Sequence, residues 1–352
     1  MTPLSGRLVA RIAADGPLTI ADYMATCLMD PVHGYYATRD PFGAAGDFVT
    51  APEISQMFGE LAGLALAQAW LDQGAPAPVT LCDLGPGRGT MMADILRATA
   101  RVPGFAAARQ VHLVESSPVL RAAQSRAIPQ AIHHDTVDTL PDAPLLLTAN
   151  EFFDALPIRQ FVRDGGGWRE RVVGLTGGAL AFGLTDPAPH PILAHRLADT
   201  RDGDLVEHCP ALPAITGAVA ARIAAHGGAA LILDYGDWRS LGDTLQALRA
   251  HAPARPLDAP GEADLTAHVD FEAIARASAP AAHTRLTAQG VFLERLGIAD
   301  RARVLAAGLT GPALDAHVAA HRRLTHPDGM GTLFKAMAIY PAQSPPPPGF
   351  AQ

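Results

Sequence analysis

Lysine is nearly missing from this chain of 352 residues: Lys335 stands alone, and the rest of its 27 basic residues are arginine, set against 35 acidic ones. The net charge of −8 offers nothing to a phosphate backbone, so nucleic acid is not an expected partner and a cationic one is. Cysteine is equally scarce. Cys27, Cys82 and Cys209 lie far apart without a C-x-x-C pair, which argues against a disulfide framework or a zinc site, and no metal is expected. No apolar run reaches the roughly 18 residues of a membrane helix, so no membrane insertion is expected. Met1 to Arg11 has neither a secretory apolar core nor an arginine-rich transit character. A reducing, bacterial-type cytoplasm is the expected setting. What remains, 49% hydrophobic and 18% charged, describes a globular chain of one large domain with appendages or of two domains.

The most informative stretch is Val79 to Leu96. Val79 to Leu84 is a short apolar run of the kind that fills a parallel sheet covered on both faces. Met91, Met92, Ile95 and Leu96 then recur at helical spacing. Between them, Asp83-x-Gly85-x-Gly87-x-Gly89 permits positive φ and close approach of a ligand. The dinucleotide fingerprint would need glycine where Thr90 stands, and the phosphate loop would need a lysine. The acidic-x-G-x-G-x-G pattern instead resembles motif I of S-adenosylmethionine-dependent methyltransferases. The next apolar run, Gln110 to Val114, ends in Glu115, the candidate for ribose hydroxyls, followed by Ser116.

Around this stretch, two N-terminal helices are predicted, one on Leu4, Leu8, Val9 and Ile12, the other capped by Thr19 and running from Ile20 to Met29. Thr50 or Ala51 followed by Pro52 and Glu53 begins a helix that carries Ile54, Phe58, Leu61 and Leu64 on one face up to Trp70. The polar residues from Asp47 to Gln56, with Asp47 and Thr50 among them, read as a lid over a cofactor. A short strand is expected at Gln130 to His134, ending at Asp135, a position where the fold of the methyltransferases that motif I resembles often contacts the adenine. The buried strand Pro144 to Ala149 delivers Asn150-Glu151-Phe152-Phe153-Asp154 to the same crevice. Residues 157–205 read as an inserted β-rich element holding a hairpin, residues 237–330 as helical pieces, and 343–352, with four consecutive prolines, as a disordered tail.

Gly34-Tyr35-Tyr36, Gly46 to Glu60, Asp83 to Thr90, Asn150 to Pro157, Asp234-Tyr235-Gly236, Asp264 to Phe271 and Met330 to Lys335 resemble the signature blocks of the MidA family, spread over most of the chain. The resemblance implies a Rossmann-like class I methyltransferase fold: a seven-stranded, mostly parallel sheet in the order 3-2-1-4-5-7-6 over 79–342, with a helical cap and lid over 1–78. It also implies S-adenosylmethionine as cofactor, with S-adenosylhomocysteine as product. The family's mitochondrial members are assembly factors for respiratory complex I that methylate an arginine of a core hydrophilic-arm subunit, so a protein substrate from the respiratory chain is the implied partner.

A guanidinium is a poor nucleophile because it stays protonated. Two carboxylates can hold it by charge-assisted bonds and draw its charge away from the attacking nitrogen. Glu151 and Asp154 are the expected pair, with Asn150 orienting cofactor or substrate. A non-catalytic assembly factor and a small-molecule methyltransferase are the rival readings. His268, Asp270 and Asp264 could form a metal or acid/base cluster, but Asp270 is better placed as the N-cap of the helix from Phe271.

Overall fold

The computed structural model describes residues 2–39 and 49–351. α1 (Pro3–Asp15) starts with a capping box from Thr2 and buries Leu4, Leu8 and Ile12 along one stripe. After β1 (Leu18–Thr19), α2 (Ile20–Met29) is capped by Thr19, whose hydroxyl accepts the Asp22 N–H at 3.0 Å. α3 (Tyr35–Thr38) follows a fold-back at Gly34, where a Cβ would stand 2.4 Å from Asp30 N, so no other residue fits.

The single helix predicted up to Trp70 is divided. α4 (Ala51–Ile54) ends at the extended Ser55, whose hydroxyl restarts the chain as α5 (Gln56–Asp72) by accepting the Met57 N–H. Leu64 is 42% exposed rather than buried. Six residues beyond Phe58, it lies about 120° around the helix from it.

The chain then alternates strand and helix: β2 (Val79–Leu84), α6 (Thr90–Ala98), α7 (Phe105–Ala108), β3 (Arg109–Val114), α8 (Pro118–Ala127), β4 (Ile132–His134) and β5 (Leu145–Asn150). An antiparallel excursion follows, with β6 (Arg159–Asp164), β7 (Gly167–Thr176), β8 (Ala179–Leu184) and β9 (Leu205–His208). α9 (Leu212–His226) leads into β10 (Gly228–Asp237). Beyond it lie β11 (Gln246–Arg249), β12 (Ala252–Ala254), β13 (Asp264–Thr266), β14 (Val269–Asp270), α10 (Phe271–Ala277), β15 (Ala282–His283) and β16 (Thr287–Ala288). α11 (Gln289–Arg295), α12 (Ile298–Ala306), α13 (Gly311–Thr325), α14 (Met330–Leu333) and β17 (Phe334–Tyr340) complete the chain.

The large sheet runs β15-β17-β10-β5-β2-β3-β4, with β14 beside β10 and β16 beside β17. Counting the main strands β2, β3, β4, β5, β10, β15 and β17 as 1 to 7, this is the order 3-2-1-4-5-7-6. β2, β3, β4, β5 and β10 are parallel, and β17 runs against them. Side chains alternate between two cores, as the strand pleat requires. Leu81, Leu113, Leu146 and Leu231 face α5 and α6, while Cys82, Leu147 and Ile232 face α9 and α10. Burial on both faces is why β2 and β5 read as unbroken apolar runs.

The predicted hairpin is β7–β8, closed by Thr176 opposite Ala179. It belongs to a second sheet, β1-β7-β6-β9, in which Leu18 of the N-terminal segment pairs with Val173. β12-β11-β13 form a third sheet within 237–330, where only helical pieces were expected. α1, α2, β7, β11 and β13 bury their side chains in one shared core. The C-terminal tail, expected to be disordered, is packed: Phe350 is 8% exposed and its ring centroid lies 5.0 Å from that of Phe292. An aromatic beyond the prolines finds an apolar socket on α11, and the tail follows it. Among the described residues no helix is long and apolar enough to cross a membrane.

Candidate active site

The carboxyl ends of β2, β3, β5 and β10 open on a cleft of about 460 Å³, closed from above by α2, α3 and α4 and at one side by β11 and β13. At its glycine end, β2 delivers Asp83, 2% exposed. One carboxylate oxygen accepts the Thr148 hydroxyl at 2.7 Å and the other, also buried, has no partner. Burial raises its pKa to about 7, with the Glu115 charge adding to the rise. Gly85 and Gly87 follow with φ of +60° and +54°. A Cβ on Gly85 would stand 2.9 Å from the Phe152 ring, so this turn fixes the spacing between the β2 and β5 ends.

Glu115, at the end of β3, accepts the Ser117 N–H at 2.8 Å and the Gln124 amide at 3.2 Å, and burial raises its pKa. Gln124 also donates to Gly87 O at 2.7 Å and so ties the glycine turn to the candidate ribose acid. Ser116 lines the cleft beside it.

At the acidic end, the turn after β5 is built on Asp234 of β10. One oxygen of this fully buried carboxylate accepts the N–H groups of Phe152, Phe153 and Asp154 at 3.0–3.3 Å, and the other accepts that of Tyr235 at 2.9 Å. Glu151 takes the left-handed φ of +49° to enter this turn. It accepts the Ala51 N–H from α4 at 3.1 Å. Burial, then the Asp154 charge, raises its pKa to about 8. Asp154 is raised to about 6 by burial, against a hydrogen bond from Tyr235, and Asp234 is raised by burial and by both neighbours. The charge of Asp154 thus disfavours ionisation of Glu151 and Asp234, because charging all three in one buried site is costly. Asn150 Oδ1 and Asp154 Oδ1 are buried without a partner.

Asn150, Glu151, Asp154, Asp83, Gly85, Gly87, Glu115, Ser116 and Thr50 therefore share one cleft. The Thr50 side chain makes no capping bond to α4. Three expected site residues are not among them. Gly89 starts α6, against Ile128 and Gln124, outside the cleft. Asp135 lies beyond the three-residue edge strand β4, its side chain 82% exposed and paired with Arg121 at 2.6 Å. Asp47 lies outside the described residues.

Sequence reading had assigned no firm part to Tyr36, Glu53, Thr90, Tyr235, Gln246 or Asp264, which also line the cleft. Glu53 accepts the Thr90 hydroxyl at 2.5 Å, and Tyr36 donates to Asp264 at 2.8 Å. All of these except Gln246 fall inside the sequence blocks quoted above. Asp270 acts as the N-cap of α10, accepting the Ala273 N–H at 3.0 Å.

A family model described as "Putative S-adenosyl-L-methionine-dependent methyltransferase" matches residues 61–290. The chain belongs to this methyltransferase family. It is 36% identical to the mitochondrial protein arginine methyltransferase NDUFAF7 of Mus musculus, over 97% of this chain and 85% of that one. The NDUFAF7 homolog of Drosophila melanogaster is 33% identical, over 96% and 85%. Among solved structures, a superfamily member from Burkholderia thailandensis bound to S-adenosyl-homocysteine matches with a TM-score of 0.81 and 29% identity, covering 99% of this chain and 92% of that one.

This methyltransferase takes S-adenosylmethionine, and its cleft fits that cofactor. The cofactor carries a positive sulfur, an amino-acid group and a ribose. The cleft supplies carboxylates, the glycine turn and the unpartnered buried oxygens of Asp83 and Asn150.

Proposed function

We propose that this methyltransferase modifies an arginine of a protein partner, a hydrophilic-arm subunit of respiratory complex I. The observation that carries the arginine reading is the pair Glu151 and Asp154 on one rigid turn, both with raised proton affinity and with an unpartnered Asp154 oxygen in the cleft. The fold follows the class I Rossmann-like plan, with 1–78 as cap and lid and 157–205 as an inserted partner-facing element. The proposed setting is a bacterial-type cytoplasm, in keeping with three free cysteines.

On this reading Asp83, Gly85, Gly87, Glu115 and Ser116 hold the cofactor, with Thr50 closing over it. When bound, S-adenosylmethionine supplies a methyl group on a positively charged sulfur, which departs as the neutral thioether of S-adenosylhomocysteine. The chain's own part is aim and charge. Asp154 and Glu151 take up N–H donors of the guanidinium and hold its charge on the nitrogens that do not react. The attacking nitrogen uses its electron pair for the new N–C bond and must then lose a proton. Glu151, whose ionised form the bound guanidinium charge favours, accepts it and returns to the protonated state that burial prefers. Asn150 steers the reacting groups, and the closed cleft excludes water.

The test is to incubate the protein with S-adenosylmethionine and the candidate subunit and to map methylated arginines by mass spectrometry. A gain of methyl groups on one arginine, absent with Glu151→Gln, supports the reading. An unchanged mass in every candidate partner would leave a non-catalytic assembly factor as the better account.

A further inference from the structure

We propose that Asp264, oriented by Tyr36, is a further substrate-binding carboxylate and that with Asp154 it selects a guanidinium over a primary ammonium. This rests on the arginine reading above and adds to it a residue from a different sheet.

Asp264 opens β13, is 5% exposed and lines the cleft. The Tyr36 hydroxyl donates to its Oδ1 at 2.8 Å, while the main-chain oxygen of Tyr36 accepts the Ser117 hydroxyl at 2.7 Å. One residue of α3 thus joins the start of α8, beside the candidate ribose acid, to Asp264. β13 is also fixed relative to Asp154, because the Ala267 N–H donates to Asp154 O at 2.9 Å. The Tyr235 hydroxyl, which opposes the rise in the Asp154 pKa, accepts the Gln246 amide at 3.3 Å. These contacts fix Asp264 relative to the turn that carries Asp154, whose Oδ1 stays buried with nothing to accept.

Asp154 on the turn after β5 and Asp264 on β13 bring two carboxylates to one cleft from separate elements. A guanidinium is a rigid plane with five N–H donors along its edges, and it can bridge them; an ammonium is a compact point charge that pairs well with one. The cleft walls add an apolar path for an aliphatic stem. Leu248 pairs across β11–β13 with Asp264, and Leu28, Met29 and Leu156 line the cleft as well. Both charge and shape point to a side chain with a long apolar stem and a planar cationic head.

The test is calorimetry on the full chain saturated with S-adenosylhomocysteine, using ethylguanidinium and butylammonium as probes. Wild type should bind ethylguanidinium at least about tenfold more tightly than butylammonium. Asp264→Asn should weaken ethylguanidinium binding by about tenfold or more and erase the selectivity. Tyr36→Phe should weaken it by a smaller factor. In both variants the affinity for S-adenosylhomocysteine should stay within about twofold of wild type, which a folding defect would not allow.

Unchanged guanidinium binding and selectivity in Asp264→Asn overturns the proposal while leaving the arginine reading intact. Equal binding of the two probes by wild type overturns the selectivity. Binding of neither probe by a wild type that still binds S-adenosylhomocysteine overturns the arginine reading and this proposal with it. Loss of S-adenosylhomocysteine binding in Asp264→Asn makes Asp264 a structural residue and also overturns the proposal.

Discussion

Glu151→Gln should lose methyl transfer and gain stability, and the gain should depend on pH. The folded protein raises the Glu151 pKa from the usual 4.5 to about 8. Between these values the folded state keeps a proton that the unfolded chain releases. The wild-type contribution is therefore fully present below pH 4.5 and is lost as pH rises through about 8. At about 1.4 kcal/mol per pKa unit, the full shift corresponds to a ceiling of about 5 kcal/mol. Contact with the cleft and relaxation around the charge reduce this, so we expect about 2 kcal/mol or somewhat more. Glutamine has nearly the same shape, keeps an oxygen for the Ala51 N–H and never ionises. Urea unfolding of both proteins at pH 5 and pH 9 reads the difference directly: below about 1 kcal/mol at pH 5, and about 2 kcal/mol or more in favour of the variant at pH 9. A variant no more stable than wild type at pH 9 would refute the raised pKa. Calorimetry with S-adenosylhomocysteine should show unchanged affinity, which separates a lost proton acceptor from a damaged cofactor site.

Gly87→Val forces a β-branched residue into a φ of +54°, where such residues are strained outliers, and should abolish saturable S-adenosylmethionine binding in calorimetry. Asp135→Ala should leave cofactor affinity within about twofold of wild type, because it removes only an exposed pair with Arg121; a larger loss would return Asp135 to the adenine site. Phe350→Ala should cost about 3 kcal/mol in denaturant unfolding by emptying the socket beside Phe292, with cofactor binding unchanged. A dangling tail would show no change.

The buried strands were legible because a sheet covered on both faces writes continuous apolar runs, and Val79 to Leu84 and Pro144 to Ala149 have no other good reading. The acids that close such runs, Asp83, Glu115 and Glu151, line the cleft because strand ends converge at the switch point. Asp135 follows the same pattern but ends an edge strand of three residues, and sequence alone does not reveal that its side chain turns to solvent. Strands β11 to β13 are three or four residues long, too short for a period of two to stand out among Pro and Gly. Asp264 therefore reads in the sequence only as a possible member of a cluster with His268 and Asp270, not as a wall of the cleft. In the sequence Asp234 is marked only by its place in the Asp234-Tyr235-Gly236 block. Its acceptance of four backbone N–H groups becomes visible only when β10 lies beside β5.

Among the described residues, the N-terminal helices reach the acidic end through the Ala51 N–H to Glu151 and the Tyr36 hydroxyl to Asp264. Both are donors to carboxylates, and an ionised carboxylate accepts more strongly than a neutral one. At neutral pH Glu151 is largely protonated, so its bond to α4 is at its weaker setting. A cation entering the cleft favours the ionised form and thereby strengthens the bond that holds α4 down. Proton release, cation binding and the strength of the bond to α4 are thus linked through one side chain. A neutral guest would not favour ionisation of Glu151 and would leave the bond to α4 at its weaker setting.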